Sequence, residues 1–528
     1  MDPAGWRGSA QLLLVLVLTV TAPSGSLLGQ PRQLIIATTG DAETMDPMLT
    51  ATNTTSSIQN HALEPLFDFD PDGRLRPVLA EGFKFIDNTT WEITLRRGVW
   101  FHNGEPFDAE AVKFNIERAK MHPRSLQKAY VSLVTEVQIV NDHTVRIKTS
   151  EPFPDLITNL ESVELTAPGF SRQAGDEGLS KRAIGTGPFR FVEWVRDERI
   201  VFERNDNYWG PKPQAQRVVI RPIPEDATRV AALLSREVDI IEGVPIPDIG
   251  RVTRTRGFKV LSKPGARLIY LAFDTFREIG GKEPERSPGL PEGMVNPFRD
   301  RRVRQAFWFA VNTKEIVEQV MEGHAQPADQ LIAPFMFGFN PMVRRPNYDP
   351  SRAKRLLAEA GFATGFKVIL ETPTDRYVND EEAAQAVAGQ LRRVGIEVEV
   401  RGWSQAIYFP RIMRQFQNSF HLSGWGTLIS SIRYTALAGC VDPKKSGYGR
   451  ANYGRWCSAE MDRLIHLANT EMDVEKRRQV FFLLAEMVRN EVPKIPLYHE
   501  ELIRGVREGL EMPVRFDEHV RAQDVTFK

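Results

Sequence analysis

Trp91–Lys120 reads WEITLRRGVWFHNGEPFDAEAVKFNIERAK, and its pattern decides the fold. Trp91, Ile93 and Leu95 alternate with Glu92, Thr94 and Arg96, the period-2 pattern of a half-buried strand. Val99 and Phe101 resume the apolar pattern after Gly98. His102-Asn103-Gly104-Glu105-Pro106 interrupts it, because Asn-Gly and Pro punctuate turns. Asp108 is placed to cap a helix, and Glu110 sets negative charge at the helix's positive end. Val112, Ile116 and Ala119 fall on one helical face. The stretch predicts strand, turn and amphipathic helix.

Outward from it, the chain has 528 residues, room for about three units of roughly 150 residues. Lys and Arg number 68, as do Asp and Glu, so no net charge points to nucleic acid or an anionic membrane. The 42% hydrophobic content suits a large globular core. The first residues differ. Arg7 precedes the apolar run Leu12–Leu18, and Pro23-Ser24-Gly25-Ser26 ends it. Residues 1–29 are expected to be a signal peptide, cleaved after Ser26 or Gly29, with an uncleaved anchor as the alternative. The run falls short of the roughly 20 apolar residues that span a bilayer. No cysteine nearby supports lipid attachment, so a soluble periplasmic protein is expected. Cys440 and Cys457 are the only cysteines. In an exported chain two thiols more often pair than stay free, the alternative being two separate buried thiols.

Further elements follow in order. Gln33–Thr38 reads as a strand and Asn60–Asp68 as a helix ending in a strand. Val137–Lys148 reads as a hairpin turning at Asn141-Asp142. Asp349 and Pro350 open a helix that Gly361 follows. Phe366, Val368 and Leu370 alternate, Glu381–Val394 is helical, and Ile396, Val398 and Val400 alternate again. That is one βαβ unit, which implies parallel strands.

Enzyme signatures are missing from the sequence. The nine histidines form no HExxH pair, and there is no GxSxG elbow or GxxxxGK[ST] loop. Gly185-Thr186-Gly187 suggests a phosphate loop, but Arg190 takes the third glycine position of GxGxxG and Pro188 bars a helix. No metal or cofactor is expected.

Trp91–Lys120, with the preceding LEPLFDFDPDGRLRPVLAEGFKFIDNTT (Leu63–Thr90), resembles the signature region of the family 5 extracellular solute-binding proteins of ABC importers. Later blocks repeat the likeness: Gly185-Thr186-Gly187-Pro188-Phe189, Arg204-Asn205 with Tyr208-Trp209, and Val238-Asp239-Ile240. The segments 298–328, Asn452–Cys457 and Ile495–Tyr498 continue it. The resemblance implies an α/β, two-lobed periplasmic-binding-protein fold (type II, cluster C), with an extra subdomain inserted in the first lobe. The first lobe would comprise 32–62, 184–272 and 498–528, the inserted subdomain 63–183, and the second lobe 273–497. The chain would cross near Phe273 and Tyr498. It also implies a monomeric receptor, not an enzyme, that hands a peptide or peptide-like solute to a membrane permease with its ATPase. A nickel chelate, a glycoside or an opine-like compound is the alternative ligand, and an exported hydrolase the alternative class.

The same resemblance implies the site. The loop Gly40–Pro47, with Glu43 and Thr44, is similar to the family loop at the cleft; an ordinary turn is the alternative. Gly424, Trp425 and Gly426 match a block that sits over the ligand, with Trp425 as an aromatic wall or else a core residue. Trp403, Tyr408 and Tyr498 are further cleft candidates, with core packing as their alternative. Where relatives carry an Asp for the peptide α-amine, this chain has Leu428. That leaves Arg433, Glu43 or main chain to meet the ligand's charges. In dipeptide-binding relatives an upstream cysteine pairs with the one aligned to Cys457, which implies a Cys440–Cys457 disulfide.

Overall fold

The computed structural model describes residues 32–50, 52–445 and 447–528. The expected signal peptide lies outside the described residues. Trp91–Lys120 forms the strand Thr90–Leu95, a turn, and the helix Ala109–Met121. Asp108 caps the helix by accepting from Ala111 N at 3.0 Å. The strand belongs to a four-stranded antiparallel sheet, in the order Ala80–Asp87, Thr90–Leu95, Thr144–Thr149, Val134–Asn141. Trp91, Ile93, Leu95, Val112 and Ile116 share one apolar cluster between this sheet and the helix. The alternation and the helical stripe therefore meet face to face, as their periods require.

A second, larger sheet runs through the rest of the molecule. Two antiparallel strands, Phe258–Phe273 and Lys494–Arg507, form its spine. The first has 16 residues, which at ~3.3 Å per residue extends about 50 Å. At one end of this pair, Ile240–Glu242 joins Arg504–Val506 and leads to Gln33–Thr38 and Arg217–Pro222. At the other end, Phe420–Trp425 joins Leu268–Phe273 and leads to Phe366–Pro373 and Ile396–Trp403. The two flanks thus hang from opposite ends of one strand pair. Pairing is regular from Phe258↔Arg507 to Pro264↔Glu501, breaks, and resumes at Leu268↔His499. Pro264 cannot donate to a ladder, which fits a break at that point.

Phe366–Pro373 and Ile396–Trp403 run parallel across the helix Asp380–Arg392, as the βαβ reading requires. Asp349 caps the helix Pro350–Glu359, and Gly361 follows with φ +89°. The helix expected over Asn60–Asp68 lies earlier, at Asn53–Gln59. Pro65 bars a helix through the later residues, and Glu64 is buried there, accepting from Thr186, Tyr208 and Trp209.

The Gly185-Thr186-Gly187 segment also has a structural cause. A Cβ on Gly185 would stand 2.2 Å from Ala62 O, and one on Gly187 2.7 Å from Ala62 C. The glycines let two backbones touch; Gly187 N donates to Ala62 O at 3.0 Å.

Candidate functional site

Three cavities lie where residues attached to opposite ends of the strand pair face each other. The first, about 140 Å³, is lined from one side by Thr50, Asn53 and Asn60, by Tyr130, Glu161 and Glu164, and by Phe516–His519. Gly426, Thr427, Leu428 and Ile429 close it from the other side, and Ala266 of the strand break also reaches it. The second, about 460 Å³, shares Leu428, Ile429 and Phe516 with the first. Its lining is aromatic, with Phe69, Phe83, Phe85, Trp91, Phe335 and Phe337. The third, about 660 Å³, counts Arg450, Asp462, Arg463 and His466 among its lining. Asp155 and Ser431 line both larger cavities. An apolar cleft with a few convergent polar groups is what a solute site requires.

An ion network borders the first cavity at the strand break. Arg267 lies 3.1 Å from Glu500 and donates to both Glu518 oxygens, at 3.0 and 2.8 Å. Asn53 Nδ2 donates to Glu518 at 3.0 Å. Burial opposes the Arg267 charge, but Glu518 and Glu500 outweigh it and hold its pKa above the ordinary value. Glu518 takes φ +71°, an uncommon conformation for a residue with a side chain, in the cavity wall.

The loop Gly40–Pro47 is anchored from the helix Ala109–Met121. Arg118 pairs bidentately with Asp46, at 2.8 Å through Nη1 and 2.5 Å through Nη2, and Asp46 is fully buried. Asp46 also accepts from Met48 N at 3.1 Å.

Of the residues expected at the cleft, Gly426 lines a cavity, together with Leu428. Arg433 is fully buried and donates to the carbonyls of Leu331 (2.9 Å), Ala266 (2.7 Å) and Thr427. Burial pushes its pKa down to about 9. It pins two cavity-lining residues by their backbones. Tyr408 is fully buried and donates to Leu422 O. Tyr498 is fully buried opposite Ile269 in the strand pair. Trp403 is half-buried, donates to Glu371 and carries the Arg411 guanidinium 4.4 Å above its ring. Trp425 is half-buried against an apolar cluster, with Arg450 over its ring at 5.1 Å. Gly424 accepts from Tyr377 at 3.2 Å, and a Cβ there would meet the Tyr377 ring at 2.7 Å. Glu43 is exposed and accepts from Thr50 Oγ1 at 3.1 Å; Thr44 Oγ1 accepts from Asp46 N. Neither lines the first cavity; Thr50, three residues past the loop, does.

Sequence reading missed Thr50, Asn53, Asn60, Tyr130, Glu161, Glu164 and His519. Only Glu161-Ser162-Val163-Glu164 left a trace, as acids flanked by Leu160 and Leu165. Cys440 and Cys457 are joined by a disulfide, with Cα atoms 4.6 Å apart. The bridge closes the segment that carries Tyr448 and Arg450 to the third cavity.

Residues 74–434 match the bacterial extracellular solute-binding proteins, family 5. The chain belongs to that family. This family 5 protein is 26% identical to the dipeptide-binding protein of Escherichia coli (strain K12) over 526 residues, covering 94% of each chain. Among solved structures it resembles the periplasmic binding protein DppA of Helicobacter pylori in complex with the peptide STSA. The TM-score is 0.74 at 21% identity, over 94% of this chain and 98% of that one. It also resembles NikZ of Campylobacter jejuni in complex with Ni(L-His), with a TM-score of 0.78 at 20% identity, over 94% and 100%. The fold is thus the two-lobed one of periplasmic binding proteins. Among the described residues, no helix is long and apolar enough to cross a membrane.

Proposed function

We propose that the chain captures a peptide or peptide-like solute between its lobes and delivers it to an ABC permease whose ATPase lies across the membrane. The first lobe comprises 32–62, 184–272 and 498–528, with 63–183 inserted, and the second 273–497. The carrying observation is that each cavity takes its walls from both sides of the strand pair. A solute touching both walls stabilises the closed form by its differential affinity for it. The peptide class is supported by the dipeptide-binding relative and the peptide-bound structural neighbour. The aromatic cavity suits apolar side chains, and main-chain bonds would hold the ligand backbone. Secretion by a cleaved signal peptide and action as a monomer belong to the same reading.

A thermal-shift screen over di- to pentapeptides, glutathione, sugars and metal chelates tests it. A ligand at 100 times its Kd adds about 2.7 kcal/mol to the folded state. Peptides are expected to raise the melting temperature, to be recovered intact, and to reduce the radius of gyration in solution scattering. Recovery of cleaved peptide would make the chain a hydrolase. A response to a nickel chelate alone would replace the peptide with the ligand type seen in the NikZ complex.

A further inference from the structure

In the first cavity, unsatisfied acceptors gather without a donor to meet them. Glu164 is 6% exposed, its Oε2 is buried without a hydrogen-bond partner, and it lines the cavity. Gln127, also 6% exposed, lines the same cavity with its Oε1 unpartnered. Its amide orientation is set by Nε2 donating to Pro47 O at 2.7 Å, so the oxygen is the free atom. Among the described residues, Glu161 accepts only from its neighbour Ser162, at 3.0 Å.

The other charges around this group are matched among themselves. Asp68 pairs with Arg76 and Arg521, and Asp517 pairs with Arg515 at 2.6 Å. Arg521 also lies 3.6 Å from Asp517. His519 accepts at Nδ1 from Asn60 Nδ2 at 3.0 Å, and burial holds it near pKa 4, so it brings no charge. Among the described residues Glu161 and Glu164 have no cationic partner within ion-pair distance. Buried acceptors left unpaired are costly, more so when charged. An ammonium brings three donors and a charge, a guanidinium five donors in a fork.

We propose that Glu161, Glu164 and Gln127 form the seat for a cationic nitrogen of the captured solute. Leu428 and Ile429 then steer its apolar part toward the adjoining aromatic cavity. The ligand class is an amine- or guanidine-bearing peptide or peptide-like molecule with an apolar side chain. This rests on the solute-receptor reading and adds the chemistry of the solute. Burial first, then the charge of Asp68, raises the pKa of Glu161 to about 7. Burial and Glu161 raise that of Glu164 well above the ordinary value. Below about pH 7 both carboxyls therefore hold protons in large part, and a seated cation expels them.

The test is calorimetric titration of the full chain with three matched peptide sets. These are free-amine di- to tetrapeptides, their N-acetylated forms, and N-acetylated forms carrying one Lys or Arg. Expected are binding by cationic members, at least tenfold weakening when acetylation removes the only positive charge, and proton release near pH 6. The release is read as a binding heat that changes between buffers of different ionisation enthalpy. Glu164→Gln and Glu161→Gln should each weaken cationic peptides at least tenfold. The wild-type proton count tests the seat even if a variant fails to fold. Equal affinity for uncharged acetylated peptides, or unchanged affinity in both variants, overturns the seat and leaves the receptor standing. Silence of all three sets overturns the peptide reading and the seat together.

Discussion

Asp155 and Arg477 meet across the cleft: the guanidinium donates to the carboxylate, which also accepts from Ser431 Oγ. Asp155 precedes the short helix Leu156–Asn159, whereas Arg477 and Ser431 belong to the helices Val474–Glu491 and Ser430–Ala438, far along the chain. The pair lies well inside, with side chains 10% and 11% exposed. Breaking a buried pair from one side strands the other charge, at about 3–5 kcal/mol. Opening the cleft relieves that cost. Asp155→Asn is therefore expected to enlarge the radius of gyration of the ligand-free protein in solution scattering. An unchanged radius and melting temperature would show that the pair holds nothing closed.

Arg118 does comparable work within one wall. It holds the fully buried Asp46 and, through it, the loop leading to Thr50. Arg118→Ala should cost about 3–5 kcal/mol in denaturant unfolding. Arg118→Ala with Asp46→Asn should recover part of it. No recovery in the double variant would place the cost elsewhere than the stranded carboxylate.

Glu164→Gln should stabilise the chain, and more so at higher pH. The folded pKa of Glu164 is raised by burial, so the folded state binds a proton that the unfolded state has lost above about pH 4.5. Wild-type stability then falls with rising pH by about 1.4 kcal/mol per unit until the buried carboxyl ionises. The glutamine has no such term. Melting curves from pH 4.5 to 7.5 should show a gap that opens with pH; a constant gap would refute the buried acid.

Histidines taken out of water act with the opposite sign, His421 among them. Burial holds His61, His102 and His519 near pKa 4 and His499 near 3, against about 6.5 when unfolded. The unfolded state binds more protons between pH 6.5 and about 4, so this contribution to stability is lost as pH falls through that window. Urea midpoints below pH 6.5 should drop more steeply in the Glu161→Gln, Glu164→Gln double variant, which lacks the opposing acids. Equal slopes would count against both groups of shifts.

Gly185→Ala places a methyl 2.2 Å from Ala62 O, where only backbone movement can make room. A loss beyond the 0.5–3 kcal/mol usual for a point change is expected, measured by thermal unfolding. Tolerance of alanine would show that the two backbones are free to part.

Much of the scaffold was legible because it is written locally. Trp91, Ile93 and Leu95 alternate, Asp108 and Asp349 cap, and Gly361 ends a helix, each within a few residues of its cause. The cleft is not local. Arg433 reads as a free cation, yet its Nη atoms donate to the carbonyls of Leu331 and Ala266, far from it in the chain, and of nearby Thr427. Tyr408 and Tyr498 carry polar tips but sit in the core. Glu161 and Glu164 share one short turn with apolar neighbours, and nothing local says which way such acids point. What surrounds them comes from burial first and then from Asp68 and Arg521, which belong to distant segments.

Gln33–Thr38 and Lys494–Arg507 are separated in the large sheet by the width of one strand, Ile240–Glu242. The earliest strand therefore waits for nearly the whole polypeptide before its side of the sheet is complete. Closing so long a loop is slow, and unpaired edges stay open meanwhile. Until Lys494–Arg507 is in place, Ile240–Glu242 keeps an open edge, and fragments ending before residue 494 should aggregate rather than form an independent half.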